Sequence, residues 1–425
     1  MKYISTRNHN LYKSLSEAIT SGLVNDGGLF MPDVMPKIDF SEFSTINSYP
    51  EFSSKILSEF FMGDELHQAL PEICDSALNF PVPLEKINDN TFELELFHGP
   101  TLSFKDVGAR FLSECLDRLS PHRKTTIMVA TSGDTGSAVA SALHGKSNIN
   151  VIILYPKGQI SKRQEHQITC WGSNVIALAV NGNFDDCQAL VKSAFQNPFW
   201  QQHFSLGSAN SINIGRLLPQ ITYYAYSSMQ FYQKYNVMPG FIIPTGNLGN
   251  ATAGYFAKLM GFPIREIVLS TNANSTISEY LQSGKYQPRA SVSTLANAMD
   301  VGNPSNFERL LHLYPDFDTL KKNVKAFSVS DEEIQQSIID IYKQNKKIIC
   351  PHTATAFFAR KKLSDQPFII VATAHPCKFE NIIEPLIHEK LSTPYQLQIL
   401  LDKPVQVHEV ENNLDAIQKK VGQFM

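Results

Sequence analysis

From Thr91 onward, apolar runs of four to seven residues alternate with amphipathic segments. Runs that short suit buried strands, and amphipathic segments between them suit crossover helices. The pattern therefore predicts an α/β body with a mainly parallel sheet and helices on both faces. Strands are expected at 126–130, 151–155, 175–180, 241–244, 267–270, 347–350 and 368–373. Helices are expected at 137–144, 161–171, 251–260 and 331–344, the last capped by Ser330 with Glu333 completing a capping box. A long pattern over 214–235 contains Pro219, which predicts a kink or a late start. Residues 1–85 lack this rhythm. Asp26-Gly27-Gly28 reads as a turn into a short apolar element, much of 40–80 reads as helical, and the tail after Ser392 mixes an apolar run with a final polar helix, suggesting a closing strand and cap.

Bulk properties exclude several classes. A chain of 425 residues, 43% hydrophobic and 18% charged, is long enough for two to three domains around a large core. Its 37 basic and 40 acidic residues leave a net charge of −3, with no Lys/Arg run, which gives no support for a nucleic-acid partner. No apolar stretch approaches the ~18 residues of a membrane span, and the N-terminus lacks the apolar core of a signal peptide. The six cysteines form no CxxC pair, so neither a metal site nor a disulfide framework is expected. Scattered thiols suit a reducing compartment, and a cytoplasmic location follows as the expectation.

Five segments carry candidate chemistry. His98-Gly99-Pro100-Thr101-Leu102-Ser103-Phe104-Lys105-Asp106 would bring Lys105 into a helix directly after an extended stretch, where a Schiff-base lysine can be held still. An exposed helix lysine fits the same residue. Gly246-Asn247-Leu248-Gly249-Asn250 follows an apolar run and precedes a helix, so its N–H groups can wrap an anion, as can an ordinary glycine turn. It is neither a Walker A loop nor a GxGxxG fingerprint. Ser132-Gly133-Asp134-Thr135-Gly136 reads either as a second anion grip or as a helix cap. Asn210, Ser211 and Arg216 gather polar donors before a long helix, with a capped helix and a surface arginine as the alternative. Thr373, at the end of an apolar run, offers a hydroxyl at a strand's carboxyl edge, beside His375, which reads equally as a packed structural residue. Together these residues form the inventory of a pyridoxal-phosphate site built on a sheet.

The ordered set of motifs resembles the threonine synthases of the longer bacterial and fungal branch, which are fold-type II pyridoxal-phosphate enzymes related to the tryptophan synthase β fold. The resemblance runs from Tyr3-Ile4-Ser5-Thr6-Arg7 and Asp26-Gly27-Gly28-Leu29 through the lysine motif, Phe184-Asp185-Asp186-Cys187-Gln188 and Thr271-Asn272-Ala273-Asn274. It continues through Ala298-Met299-Asp300 and Pro304-Ser305-Asn306-Phe307-Glu308-Arg309 to residues 372–378. It implies that Lys105 holds pyridoxal 5'-phosphate and is the catalytic residue. Gly246, Asn247, Leu248, Gly249 and Asn250 would cradle the cofactor phosphate, and Thr373 would face the ring nitrogen. Asp134 would lie near the cofactor's 3-hydroxyl, where related enzymes carry an asparagine. Ser132, Thr135, Asn210, Ser211 and Arg216 would bind substrate.

The implied reaction converts O-phospho-L-homoserine and water into L-threonine and phosphate in a monomer or homodimer. A phospholyase or dehydratase of the same fold, and a non-catalytic homologue, are the competing readings. The implied organisation is a helical N-terminal extension over 1–90, a smaller α/β lobe with the lysine over 91–210, and a larger lobe with the phosphate loop over 211–425.

Overall fold

Two sheets made from the short apolar runs carry the body of the protein, seen here in a computed structural model that describes residues 1–119 and 124–424. The five-stranded sheet has the order His408–Val410, Val175–Val180, Ile149–Pro156, Thr125–Ala130, Ser205–Ser208, and every pairing is parallel. Its three middle strands are buried along their whole length, which is why they read as unbroken apolar runs. The six-stranded sheet has the order Lys325–Ser328, Ile267–Thr271, Gly240–Pro244, Phe368–Ala372, Thr91–Glu95, Leu84–Asn88. All its pairings are parallel except the last, a hairpin.

Strand alternation sends successive side chains into different cores. Phe241 and Ile243 join the central cluster, while Ile242 packs on the other face with Ile338 and Phe357. In the five-stranded sheet Ile153 points to the central cluster, and Ile152 and Leu154 to a third that contains Trp200 and Ile417. Helix ends follow local chemistry. Ser330 and Glu333 form the expected capping box on Asp331–Asn345, and Pro219 splits the long pattern into Ile214–Leu217 and Gln220–Tyr235.

Several expectations are corrected. Residues 347–350 are not a strand. The Phe368–Ala372 strand already has partners on both sides. Cys350 instead caps the helix Pro351–Arg360, whose first residue is a proline. The apolar run of the tail is a helix, Tyr395–Leu401, and the closing strand is His408–Val410 beside Val175–Val180. The N-terminal extension has the expected helices Tyr49–Phe61 and Leu70–Ala77, but it opens with a three-stranded antiparallel sheet of Tyr3–Ser5, Tyr12–Lys13 and Phe30–Pro32.

The boundaries at 90 and 210 do not divide the sheets. Thr91–Glu95 belongs to the larger sheet, and the C-terminal segment returns to the smaller one. The chain thus passes between the two sheets three times, and the crossings bring distant segments together at strand ends.

Candidate active site

Lys105 opens the helix Lys105–Leu119. The residues before it are fastened to the end of the Phe368–Ala372 strand. Phe104 N–H donates to the Thr373 carbonyl at 2.9 Å, His375 N–H donates to the Leu102 carbonyl at 3.0 Å, and Ser103 bridges Ala374. Asp106 locks the same segment from the helix side, accepting from the Thr101 N–H at 2.9 Å and its hydroxyl at 2.7 Å. Gly99 is needed there, because a Cβ would sit 2.6 Å from Asp106 Oδ2. This anchoring aims the Lys105 amine into a cleft, 4.6 Å from the Phe104 ring centroid, with no hydrogen bond or ion pair among the described residues. Burial and the Arg216 cation lower its pKa to about 8, with Asp134 pulling the other way. With about a tenth of it deprotonated at pH 7 and half at pH ~8, it is a competent nucleophile and base.

The glycine-rich loop forms the opposite wall. It links the strand Gly240–Pro244 to the helix Gly249–Met260, with Leu248 in the left-handed region at φ 60 and no side-chain cap on the helix. The N–H groups of Gly246, Asn247, Leu248 and Gly249 find no acceptor among the described residues. Gly246 lies under Met299, where a Cβ would come within 2.7 Å of the Met299 Cα. Asn247 shapes the loop, since its Oδ1 accepts from Ser305 N–H at 2.6 Å and its Nδ2 donates to Ser211 Oγ at 2.7 Å. Asn250 Oδ1 accepts from Tyr223 and Tyr224, leaving its Nδ2 buried without a partner. Arg216, 1% exposed, donates to the Ala209 carbonyl and keeps an unpartnered Nε, with no carboxylate in ion-pair range among the described residues. The loop side of the cleft is thus rich in donors that no carboxylate among the described residues receives.

Asp134 is the one carboxylate on this wall. Burial favours its neutral form, but Lys378 and hydrogen bonds hold its pKa below the usual value. Lys378 pairs with its Oδ1 at 2.7 Å, and Gln164 Nε2 donates to the same oxygen at 2.9 Å. Gly133, at φ 135, abuts Gln164 so closely that a Cβ would collide with it. His352 closes the wall as a neutral imidazole. Burial lowers its pKa to about 4, and its Nε2 accepts the Ala298 N–H at 3.1 Å.

The cleft brings together Lys105, Asp134, Ser211, Arg216, Gly246, Asn247, Leu248, Gly249, Asn250 and Thr373. Ser132 and Thr135 lie half-buried on the turn beside Asp134, outside the wall, as does Asn210. His375 is a cap, its Nδ1 accepting the Cys377 N–H at 3.1 Å. Sequence reasoning missed His352, Met299 and Lys378. The rule that selected Thr373 could have found His352, which follows Pro351 at the start of a helix that packs against the same strand.

Comparisons with known proteins agree along the whole chain. Residues 79–372 match the family described as pyridoxal-phosphate dependent enzyme, residues 2–78 the threonine synthase N terminus, and residues 350–421 the threonine synthase C-terminal region. Threonine synthase from Haemophilus influenzae is 41% identical over 407 residues, covering 94% of each chain. The crystal structure of threonine synthase from Escherichia coli superposes with a TM-score of 0.94 at 37% identity, covering 100% of each chain. That of PLP-bound threonine synthase from Brucella melitensis gives 0.91 at 33% identity, covering 100% of this chain and 99% of that one.

Proposed function

This chain belongs to the threonine synthase family of pyridoxal-phosphate-dependent enzymes, and from that premise we propose how its residues divide the conversion of O-phospho-L-homoserine and water into L-threonine and phosphate. The cleft fits the cofactor by its chemistry. The free N–H groups of 246–249, the orphaned Asn250 Nδ2 and the uncapped helix N-terminus ask for a phosphate opposite the Lys105 amine. Gly246 leaves no room for a side chain between loop and Met299, so backbone alone meets the anion.

When bound, pyridoxal phosphate supplies an electron sink that acidifies the substrate's Cα–H and Cβ–H bonds. Lys105 would hold the cofactor, and its Nζ would take the proton at Cα of the bound substrate and carry protons for Cβ and Cγ. Its depressed pKa keeps both protonation states populated near neutral pH. Thr373, on the cleft wall, would offer the cofactor's ring a neutral hydroxyl, which cannot protonate a ring nitrogen as a carboxylic acid would. Arg216, buried and without a carboxylate partner among the described residues, takes the substrate's phosphate with Ser211. Ser132, Thr135 and Asn210, outside the wall, reach the substrate only when the cleft closes on it. The smaller sheet with the Asp134 turn moves in that closure against the larger sheet with the phosphate loop. Six free, buried cysteines support a cytoplasmic enzyme, working as a monomer or homodimer.

The observation that carries the reading is one buried, cation-lowered amine facing one anion-hungry loop. The test is an absorbance spectrum before and after adding O-phospho-L-homoserine, with threonine and phosphate assayed together. A visible band that shifts on substrate and is lost in Lys105→Ala, with the two products rising in step, is expected. A keto acid in place of threonine would make the enzyme a phospholyase and sink the reading.

A further inference from the structure

Lys378 lies in the short turn Pro376–Phe379, just past the Phe368–Ala372 strand of the larger sheet, and its side chain is 0% exposed. Its ammonium makes two contacts. One is to the Thr101 carbonyl at 2.9 Å, in the segment that presents Lys105, and the other is to Asp134 Oδ1 at 2.7 Å, on the turn from the smaller sheet. The turn that carries Lys378 is itself fastened to the smaller sheet's helix Lys162–Thr169. Ser161 Oγ donates to the Lys378 carbonyl at 2.9 Å, and Arg163 pairs with Glu380 at 3.3 Å. One buried cation therefore sets the spacing between the two segments that deliver Lys105 and Asp134.

The contacts also orient the carboxylate. Lys378 and Gln164 both bind Oδ1, so Oδ2 is left with no hydrogen bond among the described residues, on a side chain that lines the cleft. An unpaired carboxylate in that place would draw a proton onto Lys105, while an unpaired Lys378 would repel one.

We propose that Lys378 is a positioning residue of the active cleft, fixing Asp134 as an ionised carboxylate with Oδ2 turned toward the ligand while cancelling that charge as felt by Lys105. Oδ2 then accepts from a proton-bearing group of the bound cofactor or substrate. The inference rests on Lys105 as the reacting amine. The other groups facing this cluster do not substitute for Lys378. His352 is neutral, Arg216 adds a fixed positive charge at Lys105, and Asp106, on the Lys105 helix, is held by Thr101 and faces Arg110, Arg216 and Lys378.

The test is a double-mutant cycle of Lys378→Met, Asp134→Asn and the pair, on full-length protein. The first readout is the pH midpoint of the visible absorbance band of the holoenzyme without substrate. The second is the pH dependence of Lys105 acetylation in the chain stripped of cofactor, quantified by mass spectrometry. Neither needs threonine formation, so failure here is distinct from failure of the proposed reaction.

Lys378→Met is expected to raise both midpoints by roughly half a pH unit or more, and Asp134→Asn to lower them. The double variant is expected to return near the wild-type value. If Lys378→Met does not fold, Asp134→Asn against the double variant still decides. An unchanged midpoint in either single variant, shifts of the same sign, or a double variant that stays displaced overturns the proposal.

Discussion

Gly246→Ala is the sharpest perturbation available, because the structure fixes where the added carbon goes. The new Cβ would meet the Met299 Cα at 2.7 Å, its carbonyl oxygen at 2.9 Å and its carbonyl carbon at 3.0 Å. All three are backbone atoms, and carbon–carbon contacts are comfortable only near ~3.5–4.0 Å. Something must move by about 1 Å. The Met299 strap resists, because Ala298 N–H is held by His352 and Asp300 accepts from the Thr294 N–H, the Thr294 hydroxyl, Asn272 and Asn274. The loop resists too, pinned at Asn247 by Ser305, Ser211 and Asn306.

Overpacking of this kind costs about 1–3 kcal/mol. Because the strain falls on the phosphate-binding N–H groups, most of it should appear as weaker cofactor binding, at about tenfold per 1.4 kcal/mol. Fluorescence titration of the stripped protein with pyridoxal phosphate should give a dissociation constant roughly 10–100-fold higher than wild type. Gly422→Ala, with open space around its Cβ, serves as the control and should leave binding unchanged. A Gly246→Ala dissociation constant within about twofold of wild type would refute the steric reasoning.

Three further outcomes are expected. Below pH ~8 the native Lys105 amine carries a proton that burial disfavours, while in the unfolded chain it titrates near ~10.4, so this group's contribution to stability rises with pH between those values. Lys105→Met should therefore raise the melting temperature of the cofactor-free protein at pH 7, with the gain shrinking toward pH 10, and a gain that grows with pH would reverse the sign of the argument. Asp300→Asn cannot accept from all of the donors around Asp300 and should cost about 1.5–3 kcal/mol in urea melts, together with faster cofactor loss through the Met299 strap. Lys347→Met removes the cation facing Glu93, whose carboxyl is pushed up to about 7 by burial despite that neighbour. Urea melts should show a cost that grows above pH 7, by up to about 1.4 kcal/mol per pH unit, over the cost at pH 5, where Glu93 is neutral and only the pairing with Glu95 is lost, and equal costs at both pH values would contradict the assignment.

Legibility from sequence followed burial. The strands of the two sheets' centres were readable because both faces are covered, so runs such as Val175–Val180 carry no polar interruption. The run over 347–350 is also apolar after its lysine and failed as a strand, because Cys350 at its end caps the helix Pro351–Arg360 and the Phe368–Ala372 strand it resembles is already paired on both sides. The N-terminal sheet escaped notice for the opposite reason. Tyr12–Lys13 is only two residues long, too short to display a period of two. The lobe boundaries misled because His408–Val410 pairs with a strand more than two hundred residues earlier, and pairing across that separation leaves no mark on composition.

The site divides along the same line. Lys105, Thr373 and the 246–250 loop were legible as cleft residues because each stands at the junction of a strand or extended run with a turn or helix, and at Gly246 the backbone of Met299 leaves room for no other residue. Lys378 was not, although it stands within the same motif-bearing stretch as Thr373. A lysine's identity does not reveal whether it is on the surface or paired at zero exposure, and its partners Thr101 and Asp134 come from elsewhere in the chain. What marks it is a conflict visible only in three dimensions, a carboxylate on the wall of a cleft otherwise lined with anion-seeking donors. Such a group either repels the ligand the other residues are arranged to hold or is neutralised by a cation behind it. Lys378 is that cation, which makes the pair, rather than Asp134 alone, the unit on which the cleft's charge balance depends.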